Sequence, residues 1–353
     1  MRKSISRNLK NLFENPSRKP HPYRVMNARH FGRTGQTVGE IGLGCWQLGG
    51  TDWSGISDMR ARSILIEAAD SGINFFDTAD VYGNGRSEEV LGHFLKDRKG
   101  SFIVATKCGR ARGIYPSGYT WDAIRTATES SLKRLGIPAL HLTQLHCVPA
   151  DVLRNGEIFD WLRRLKADGK IRDFGASVET LEEAMICLEQ PGLASLQLVY
   201  NLFHQEPEKE IFPLAIEKGV AIIVRMPLAD GLLGGHLAGP PLMPSGYTGS
   251  PTPAVQHHTR DAVTFCGLPL DRGMQLALKV QNMVPHGMTL PQMALRYVFD
   301  QKAVSVMIPG ASKPAQATSN AQAADMPPLE PALREQLRNF YSTEVAPFIQ
   351  GPR

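Results

Sequence analysis

No apolar run in this 353-residue chain approaches the roughly 20 residues that a membrane-spanning helix requires. Cysteine is also sparse, and the five residues are scattered, odd in number and without a CxxC pair: Cys45, Cys108, Cys147, Cys187 and Cys266. These absences argue against a membrane-spanning protein, a disulfide framework and a zinc knuckle. They favour a reducing compartment, so we expect a cytoplasmic protein without a metal site.

The net charge of +5 comes from one end of the chain. Residues 1–25 carry seven basic residues and one acidic residue, whereas the rest of the chain carries 32 basic and 33 acidic residues. A nucleic-acid surface would need a basic stripe on the fold itself, so we expect neither a nucleic acid nor a membrane as partner. Residues 1–25 also lack the apolar stretch of a secretory signal. We interpret them as a flexible basic extension before Met26, with a weak transit peptide or an upstream start codon as alternatives.

From residue 40 onward, short apolar runs alternate with amphipathic segments. The runs are rich in Val, Ile, Leu and Phe, and several are apolar almost throughout, as expected of strands covered on both faces. Strands are predicted at 40–44, 73–77, 102–107, 140–146, 171–177, 195–200, 220–225 and 304–308. Helices are predicted at 58–71, 86–98, 121–136, 156–168, 179–189, 205–218, 271–284 and 291–301. Eight strands that alternate with helices indicate a parallel sheet.

The sheet is predicted to close into a barrel. An open dinucleotide-binding sheet would carry GxGxxG directly after its first strand, at the start of a helix. Here the sequence at 42–47 is GLGCWQ, which lacks the third glycine. We therefore predict an α/β protein with a single (β/α)8 TIM barrel over 26–345 and a short tail at 346–353. Extra C-terminal helices are predicted at 313–323 and 330–342, and a lid or binding loop at 234–269.

Polar side chains stand at the ends of three consecutive predicted strands. Asp77 ends the second strand, Lys107 the third and His146 the fourth, and Tyr82 follows Asp77 by five residues. The carboxyl ends of barrel strands form the face that carries the active site. Taken singly, each residue has an ordinary explanation as a cap, a surface lysine, a core histidine or a packed aromatic. Together they indicate a catalytic group, because buried charges are costly unless they are paired.

The chemistry that suits this group is proton donation to a carbonyl oxygen. An unperturbed tyrosine has a pKa of about 10, which is high for proton transfer at neutral pH. The Lys107 ammonium is expected to lower the pKa of Tyr82, and Asp77 is expected to keep that ammonium charged and in place. His146 is expected to donate a ring N–H to the same oxygen. No protein side chain supplies a hydride, so a nicotinamide cofactor is implied.

With these residues in view, the chain resembles the aldo-keto reductase family from about residue 26 to residue 325. The resemblance rests on GLGCW at 42–46, FDTADVYG at 76–83, TK at 106–107, QLH at 144–146, GAS at 175–177, QLVYN at 197–201 and IPGAS at 308–312. It implies an (α/β)8 barrel that binds NADPH without a Rossmann fold. It also implies a catalytic tetrad, which falls here on Asp77, Tyr82, Lys107 and His146.

The resemblance further assigns residues to the nicotinamide pocket. Ser177 and Gln197 would hydrogen-bond the nicotinamide carboxamide. Trp46 is placed among the cofactor-binding residues and is also a candidate for the wall of the substrate pocket. Arg225 stands where many members carry a stacking tyrosine, and a guanidinium plane can also stack on a ring. A salt bridge at the barrel rim is the competing explanation for Arg225.

Two later segments are predicted to hold the phosphates and the adenosine. By resemblance, the backbone of the first approaches the pyrophosphate, where glycine permits close contact. The second segment lies at the start of a predicted helix, whose backbone N–H groups and dipole favour a phosphate. The positive charge of Lys313 favours the 2′-phosphate of NADPH, and so NADPH over NADH. The residues are Pro227, Leu228, Gly231 and Leu233 in the first segment and Gly310, Ser312, Lys313 and, by resemblance, Gln316 and Asn320 in the second.

The predicted function is the NADPH-dependent reduction of an aldehyde or ketone to an alcohol, with release of NADP+ and with Tyr82 as general acid. The alternative is a nicotinamide-binding regulatory or sensor protein on the same barrel, a role served by potassium-channel β subunits, which resemble this family. The expected partner is a small carbonyl compound. The sequence predicts neither its identity nor an oligomeric state.

Overall fold

The computed structural model of the chain describes residues 26–50, 55–235, 263–264 and 266–351. The predicted N-terminal extension, 1–25, and most of the predicted loop at 234–269 lie outside these residues. Within the described ranges, no helix has both the length and the apolar character needed to cross a membrane.

The described chain begins with a hairpin that the sequence analysis missed. Strand β1, Ala28–His30, pairs antiparallel with strand β2, Thr37–Gly39. Phe31 and Val38 are buried and pack against apolar side chains in the barrel interior. The hairpin therefore closes the amino-terminal end of the barrel. Its strands are only three residues long, too short for a periodic pattern to stand out.

Eight parallel strands form the barrel wall. They are β3 Leu43–Gly44, β4 Phe75–Asp77, β5 Ile103–Cys108, β6 Leu140–His146, β7 Ile171–Ser177, β8 Ser195–Val199, β9 Ala221–Arg225 and β10 Val304–Met307, paired in chain order. The first and last strands meet through parallel bridges, Ile41 with Met307 and Gly44 with Gly310. The Gly42 N–H donates to Met307 O at 2.8 Å across this junction. The predicted (β/α)8 architecture is confirmed.

Helices cover the barrel, between the strands and after the last strand. They are α1 Asp58–Asp70, α2 Arg86–Asp97, α3 Trp121–Leu135, α4 Ala150–Asn155, α5 Glu157–Ala167, α6 Leu181–Leu188, α7 Ile211–Lys218, α8 Leu270–Gln281, α9 Leu290–Phe299, α10 Pro314–Gln322 and α11 Pro331–Phe340. Local sequence sets their limits. Thr120 caps α3 by accepting from the Ala123 N–H at 3.2 Å, and Gly136 ends the helix with a left-handed φ of 66°.

Two segments depart from the helix predictions. A short helix, α4, precedes the predicted helix at 156–168, and Gly156 separates the two with a φ of 83°. The helix predicted at 205–218 starts only at Ile211, because a 3₁₀ turn, Glu206–Glu208, comes first. Both predicted C-terminal helices are present as α10 and α11.

Candidate active site

The polar residues of the site continue rows of side chains that face the barrel interior. Side chains two residues apart on a strand point to the same face. Phe75 and Ala105 belong to the interior core, so Asp77 and Lys107 lie one layer above them, at the carboxyl end of the barrel. Strand register and alternation place further inward side chains at this end, namely Gln144 and His146 of β6, Ser177 of β7, Gln197 of β8 and Arg225 of β9.

Asp77 and Lys107 form a buried ion pair in this polar layer. Their exposed fractions are 2% and 0%. Lys107 Nζ donates to Asp77 Oδ1 and, at 2.9 Å, to Thr78 O. The amides of Gln144 and Gln197 donate to Asp77 Oδ2 at 3.0 and 2.8 Å. Both carboxylate oxygens therefore have donors, which offsets the cost of removing the pair from water.

Tyr82 lies above this pair, in the turn between β4 and α2. Lys107 Nζ donates to Tyr82 Oη at 3.2 Å and lies 4.9 Å from the centroid of the phenol ring. The ring centroid is 6.3 Å from that of Trp46 and 5.9 Å from that of His146, with interplanar angles of 36° and 86°. The structure thus brings together Tyr82, Lys107, Asp77, His146 and Trp46.

The pKa of Tyr82 is raised, whereas the sequence analysis expected it to be lowered. Burial disfavours the phenolate and is the largest cause, and the Lys107 ammonium acts in the opposite direction. The Asp77 carboxylate also raises the pKa of Tyr82, and so opposes the lysine. Burial lowers the pKa of Lys107, but Asp77 and Tyr82 outweigh it and leave that pKa raised. At neutral pH the site therefore holds a protonated phenol beside a charged ammonium.

His146 is a neutral imidazole. Burial is the largest cause that holds the pKa of His146 well below its usual value, and the charges of Lys107, Arg110 and Arg225 lower it further. The Nδ1 atom is buried and has no hydrogen-bond partner among the residues that the structure describes. A neutral imidazole carries one N–H, so His146 can donate one hydrogen bond to a bound group.

Three further polar residues lie at the barrel mouth on three neighbouring strands: Ser177 on β7, Gln197 on β8 and Arg225 on β9. Ser177 Oγ donates to Gln197 Oε1 at 3.1 Å. Arg225 Nη2 donates to Val178 O at 3.0 Å, while Arg225 Nε is buried without a partner in the described part of the chain. Arg225 forms no ion pair with a described residue, so the salt bridge considered from the sequence is not observed.

The segment after β9 has an uncommon backbone. Met226, Ala229 and Asp230 have φ angles of 55°, 46° and 56°, and Gly231 has a φ of 91°. Residues with a Cβ rarely adopt positive φ, so three of them between positions 226 and 230 make this turn unusual. Apart from its two chain neighbours, no described residue has a heavy atom within 4 Å of the position that a Cβ would take at Gly231. The backbone is therefore open to a ligand at that point.

The remaining predicted residues of this segment hold the turn. Leu228 O accepts from the N–H groups of Gly231 and Leu233 at 3.0 and 3.1 Å. The side chains of Pro227 and Leu233 are buried. These two side chains therefore anchor the turn, and Gly231 is the residue that presents an open backbone.

Three donors converge at the start of α10. Gln316 Oε1 accepts from Ser312 N at 2.8 Å, from Ser312 Oγ at 3.0 Å and from Lys313 N at 3.1 Å. Asn320 Nδ2 donates to Gly310 O at 3.4 Å, and the Lys313 side chain is exposed. The Gln316 oxygen occupies a point at which an oxyanion could accept the same hydrogen bonds.

Gln144 belongs to the site but was not among the predicted site residues. It lies in register with Lys107 on the adjacent strand and donates to Asp77 Oδ2. The signal was present in the sequence, because Gln144 precedes His146 by two residues and so shares its face of β6.

Arg110 is a second residue that the sequence analysis missed. Its side chain is only 8% exposed, lies 3.5 Å from Glu179 Oε1 and sits 5.1 Å from the centroid of the Tyr115 ring. Its charge lowers the pKa of His146. In the sequence Arg110 looks like an ordinary loop arginine, because it lies beyond the end of β5.

Comparison with known proteins agrees with this site and fold. A model of the aldo/keto reductase family matches residues 40–341. The uncharacterized oxidoreductase YqkF of Bacillus subtilis (strain 168) is 30% identical over 306 residues, 85% of this chain and 92% of its own length. The NADH-specific methylglyoxal reductase of Escherichia coli (strain K12) is 28% identical over 313 residues, 84% and 92% of the two chains. The holo form of the aldo-keto reductase AKR11C1 from Bacillus halodurans has a TM-score of 0.70 at 29% identity, covering 89% of this chain and 96% of that one. The chain belongs to the aldo/keto reductase family and is an NAD(P)H-dependent oxidoreductase.

Proposed function

We propose that the protein reduces an aldehyde or ketone to the alcohol with NADPH, and that Tyr82 is the general acid. The observation that carries the proposal is the position of Lys107 Nζ, which donates to both Asp77 and Tyr82 Oη. A protonated phenol beside a buried ammonium and a neutral imidazole is suited to give a proton to a carbonyl oxygen. We assign the reaction to the cytoplasm, since all five cysteines are free and buried.

The side chains act on the carbonyl oxygen. A nicotinamide supplies, when bound, the hydride that the carbonyl carbon accepts. As negative charge develops on the oxygen, Tyr82 Oη gives it a proton and His146 donates a hydrogen bond to it. The Lys107 ammonium stabilises the phenolate that remains, and Asp77 keeps the ammonium in position.

Two observations support the binding of a nicotinamide dinucleotide at the side of the barrel mouth that contains Arg225 and the start of α10. Arg225 Nε is buried and unpartnered among the described residues, and its guanidinium plane can stack on an aromatic ring. The donors of Ser312 and Lys313 converge on one point, which suits a phosphate oxygen in place of the Gln316 amide. Ser177 and Gln197 would then hold the carboxamide.

The pyrophosphate would lie between these two regions of the rim. The open backbone at Gly231 would approach it, within the turn that contains Pro227, Leu228 and Leu233. Gly310 and Asn320 would support the adenosine side of the site.

The preference for NADPH over NADH rests on Lys313. Its exposed side chain lies next to Ser312, where a positive charge would pair with a 2′-phosphate. The methylglyoxal reductase of Escherichia coli is NADH-specific, so the preference of this chain needs its own measurement.

The experiment is multiple turnover with NADPH that carries deuterium on the transferred position of the nicotinamide. A panel of aldehydes, ketones and sugars is offered, with NADH in parallel. We expect deuterium on the alcohol carbon, one NADP+ per alcohol and many turnovers per chain. Oxidation of only about one equivalent of cofactor, without alcohol, would contradict the proposal and would match a nicotinamide sensor.

A further inference from the structure

A cavity of about 660 Å³ opens at the end of the barrel opposite the active site. It lies where β10 begins at Val304, whereas the active site lies beyond the carboxyl ends of the strands. Its volume is within the range of roughly 300–1,000 Å³ that small-molecule sites occupy. Residues from β1, α9, the start of β10 and α11 line it, so no part of the proposed reductase site contributes.

The charged side chains of this cavity are mostly cationic. Arg29, Arg296, Lys302 and Arg334 line it, and Asp300 is the only carboxylate among the described residues of the lining. Two cations have close carboxylate partners: Arg29 Nε lies 2.8 Å from Glu40 Oε1, and Arg296 Nη2 lies 2.7 Å from Asp300 Oδ1.

Two positive charges are therefore in excess. Asp300 is shared between Arg296, at 2.7 Å, and Arg334, at 3.6 Å. Arg334 Nη1 also donates to Asp300 O at 3.0 Å, and the Lys302 side chain is exposed at the edge of the cavity. A concave site lined by one sign of charge concentrates its field and attracts counter-ions.

The backbone at this site does not oppose an anion. Phe299, the last residue of α9, lines the cavity, and its carbonyl would by itself repel a negative ligand, because a helix C-terminus carries partial negative charge. Arg29 donates to Phe299 O at 2.6 Å, to Val304 O at 2.7 Å and to Gln301 O at 3.0 Å. The guanidinium thereby covers these carbonyls and leaves the cationic groups to determine the field.

We propose that this cavity binds a small multivalent oxyanion, with Lys302 and Arg334 as the groups that pair with it. Guanidinium and ammonium groups bind phosphoryl and carboxylate oxygens through charge-assisted hydrogen bonds. Residues 1–25 carry seven basic residues and one acidic residue, so that segment has the same sign of charge as the cavity and is not a complementary occupant. Binding here is independent of carbonyl reduction.

Isothermal titration calorimetry of the full chain tests the proposal, with NADPH saturating so that the dinucleotide site is filled. Pyrophosphate and citrate are the probes, and they distinguish a phosphoryl from a carboxylate ligand. We expect at least one of them to bind at one site, with an affinity that falls as salt is added. Lys302→Glu is expected to lower that affinity about ten-fold.

Lys99→Glu is the matched control, because Lys99 is exposed and does not line the cavity. The affinity of the Lys99→Glu variant for the anion should stay within about two-fold of the affinity of the unaltered protein. Circular dichroism verifies that both variants are folded. The proposal is overturned if neither probe binds the unaltered protein, or if the two variants bind equally, because the anion then lies on residues 1–25 or elsewhere.

Discussion

Gln197 Nε2 donates to Asp77 Oδ2 at 2.8 Å across the mouth of the barrel. Gln197 lies on β8 and Asp77 ends β4, on opposite sides of the eight-stranded wall. Gln197 Oε1 also accepts from Ser177 Oγ. One amide therefore links the residues proposed to hold the nicotinamide with those proposed to position the proton donor.

A pair of variants separates these two roles. Gln197→Met and Gln144→Met each remove one donor to Asp77 Oδ2, so each should lower the free energy of unfolding by about 1–3 kcal/mol. Only Gln197→Met should also raise the KM for NADPH, by about ten-fold, because it removes a carboxamide contact. Chemical denaturation and steady-state kinetics measure the two effects. An equal rise of KM in both variants would show that Gln197 has no separate contact with the cofactor.

The pH profile of reduction follows from Tyr82 and His146. Burial raises the pKa of Tyr82, so the proton that reduction needs is retained until the pH exceeds about 10. The pKa of His146 lies well below its usual value, so the imidazole is already neutral at neutral pH. We expect the kcat for reduction to be flat between about pH 6.5 and pH 9. A limb centred near pH 6.5 would mean that His146 titrates there and is not held neutral.

Asp80 is expected to make stability depend on pH near neutrality. Burial and Glu88 raise its pKa from 3.8 to about 7, although Arg134 opposes them. The folded state therefore binds this proton more tightly than the unfolded chain. Protonation of Asp80 therefore stabilises the folded state. This stabilisation is complete below pH 3.8 and is lost as the pH rises through about 7.

The thermal midpoint of unfolding should accordingly decrease as the pH is raised from about 6 to about 8, and Asp80→Asn should make that decrease smaller. Asp122→Asn is the control, since Asp122 is exposed. Scanning calorimetry at several pH values gives the midpoints. The assignment is wrong if Asp80→Asn retains the full pH dependence.

Lys313→Glu tests the choice between the two nicotinamide cofactors. The new carboxylate should repel the 2′-phosphate, so the KM for NADPH should rise about ten-fold or more, whereas the KM for NADH should change little. Lys133→Glu, on the exposed face of α3, is the matched control. If the KM for NADPH and the KM for NADH change equally, Lys313 does not pair with the 2′-phosphate.

The sequence predicted the strands where apolar runs are long and failed where pairing is short. The run at 140–146 and the run at 171–177 coincide with β6 and β7. The predicted strand at 40–44 is reduced to Leu43–Gly44, because Ile41 meets Met307 only through an isolated bridge. The closing of the barrel at this point depends on residues far apart in the chain, which no local pattern shows.

In the candidate site, too, contacts between residues far apart in the chain could not be predicted from local patterns. Asp77, Tyr82, Lys107 and His146 are recognisable at strand ends, but the role of Gln144 depends on a hydrogen bond to a residue 67 positions away. The sign of the Tyr82 pKa shift depends on the depth of burial, which the sequence does not give. Local chemistry predicted the residues, whereas burial and contacts across the barrel set their electrostatics.

Tyr82→Phe tests the assignment of the proton donor most directly, with NADPH affinity and carbonyl reduction measured on the same preparation. The change removes one hydroxyl and leaves the Lys107–Asp77 ion pair in place. We predict an unchanged Kd for NADPH, from quenching of protein fluorescence, and a fall in kcat of roughly 10²–10⁴-fold. Retention of most of the reductase activity in this variant would contradict the assignment of Tyr82 as the proton donor.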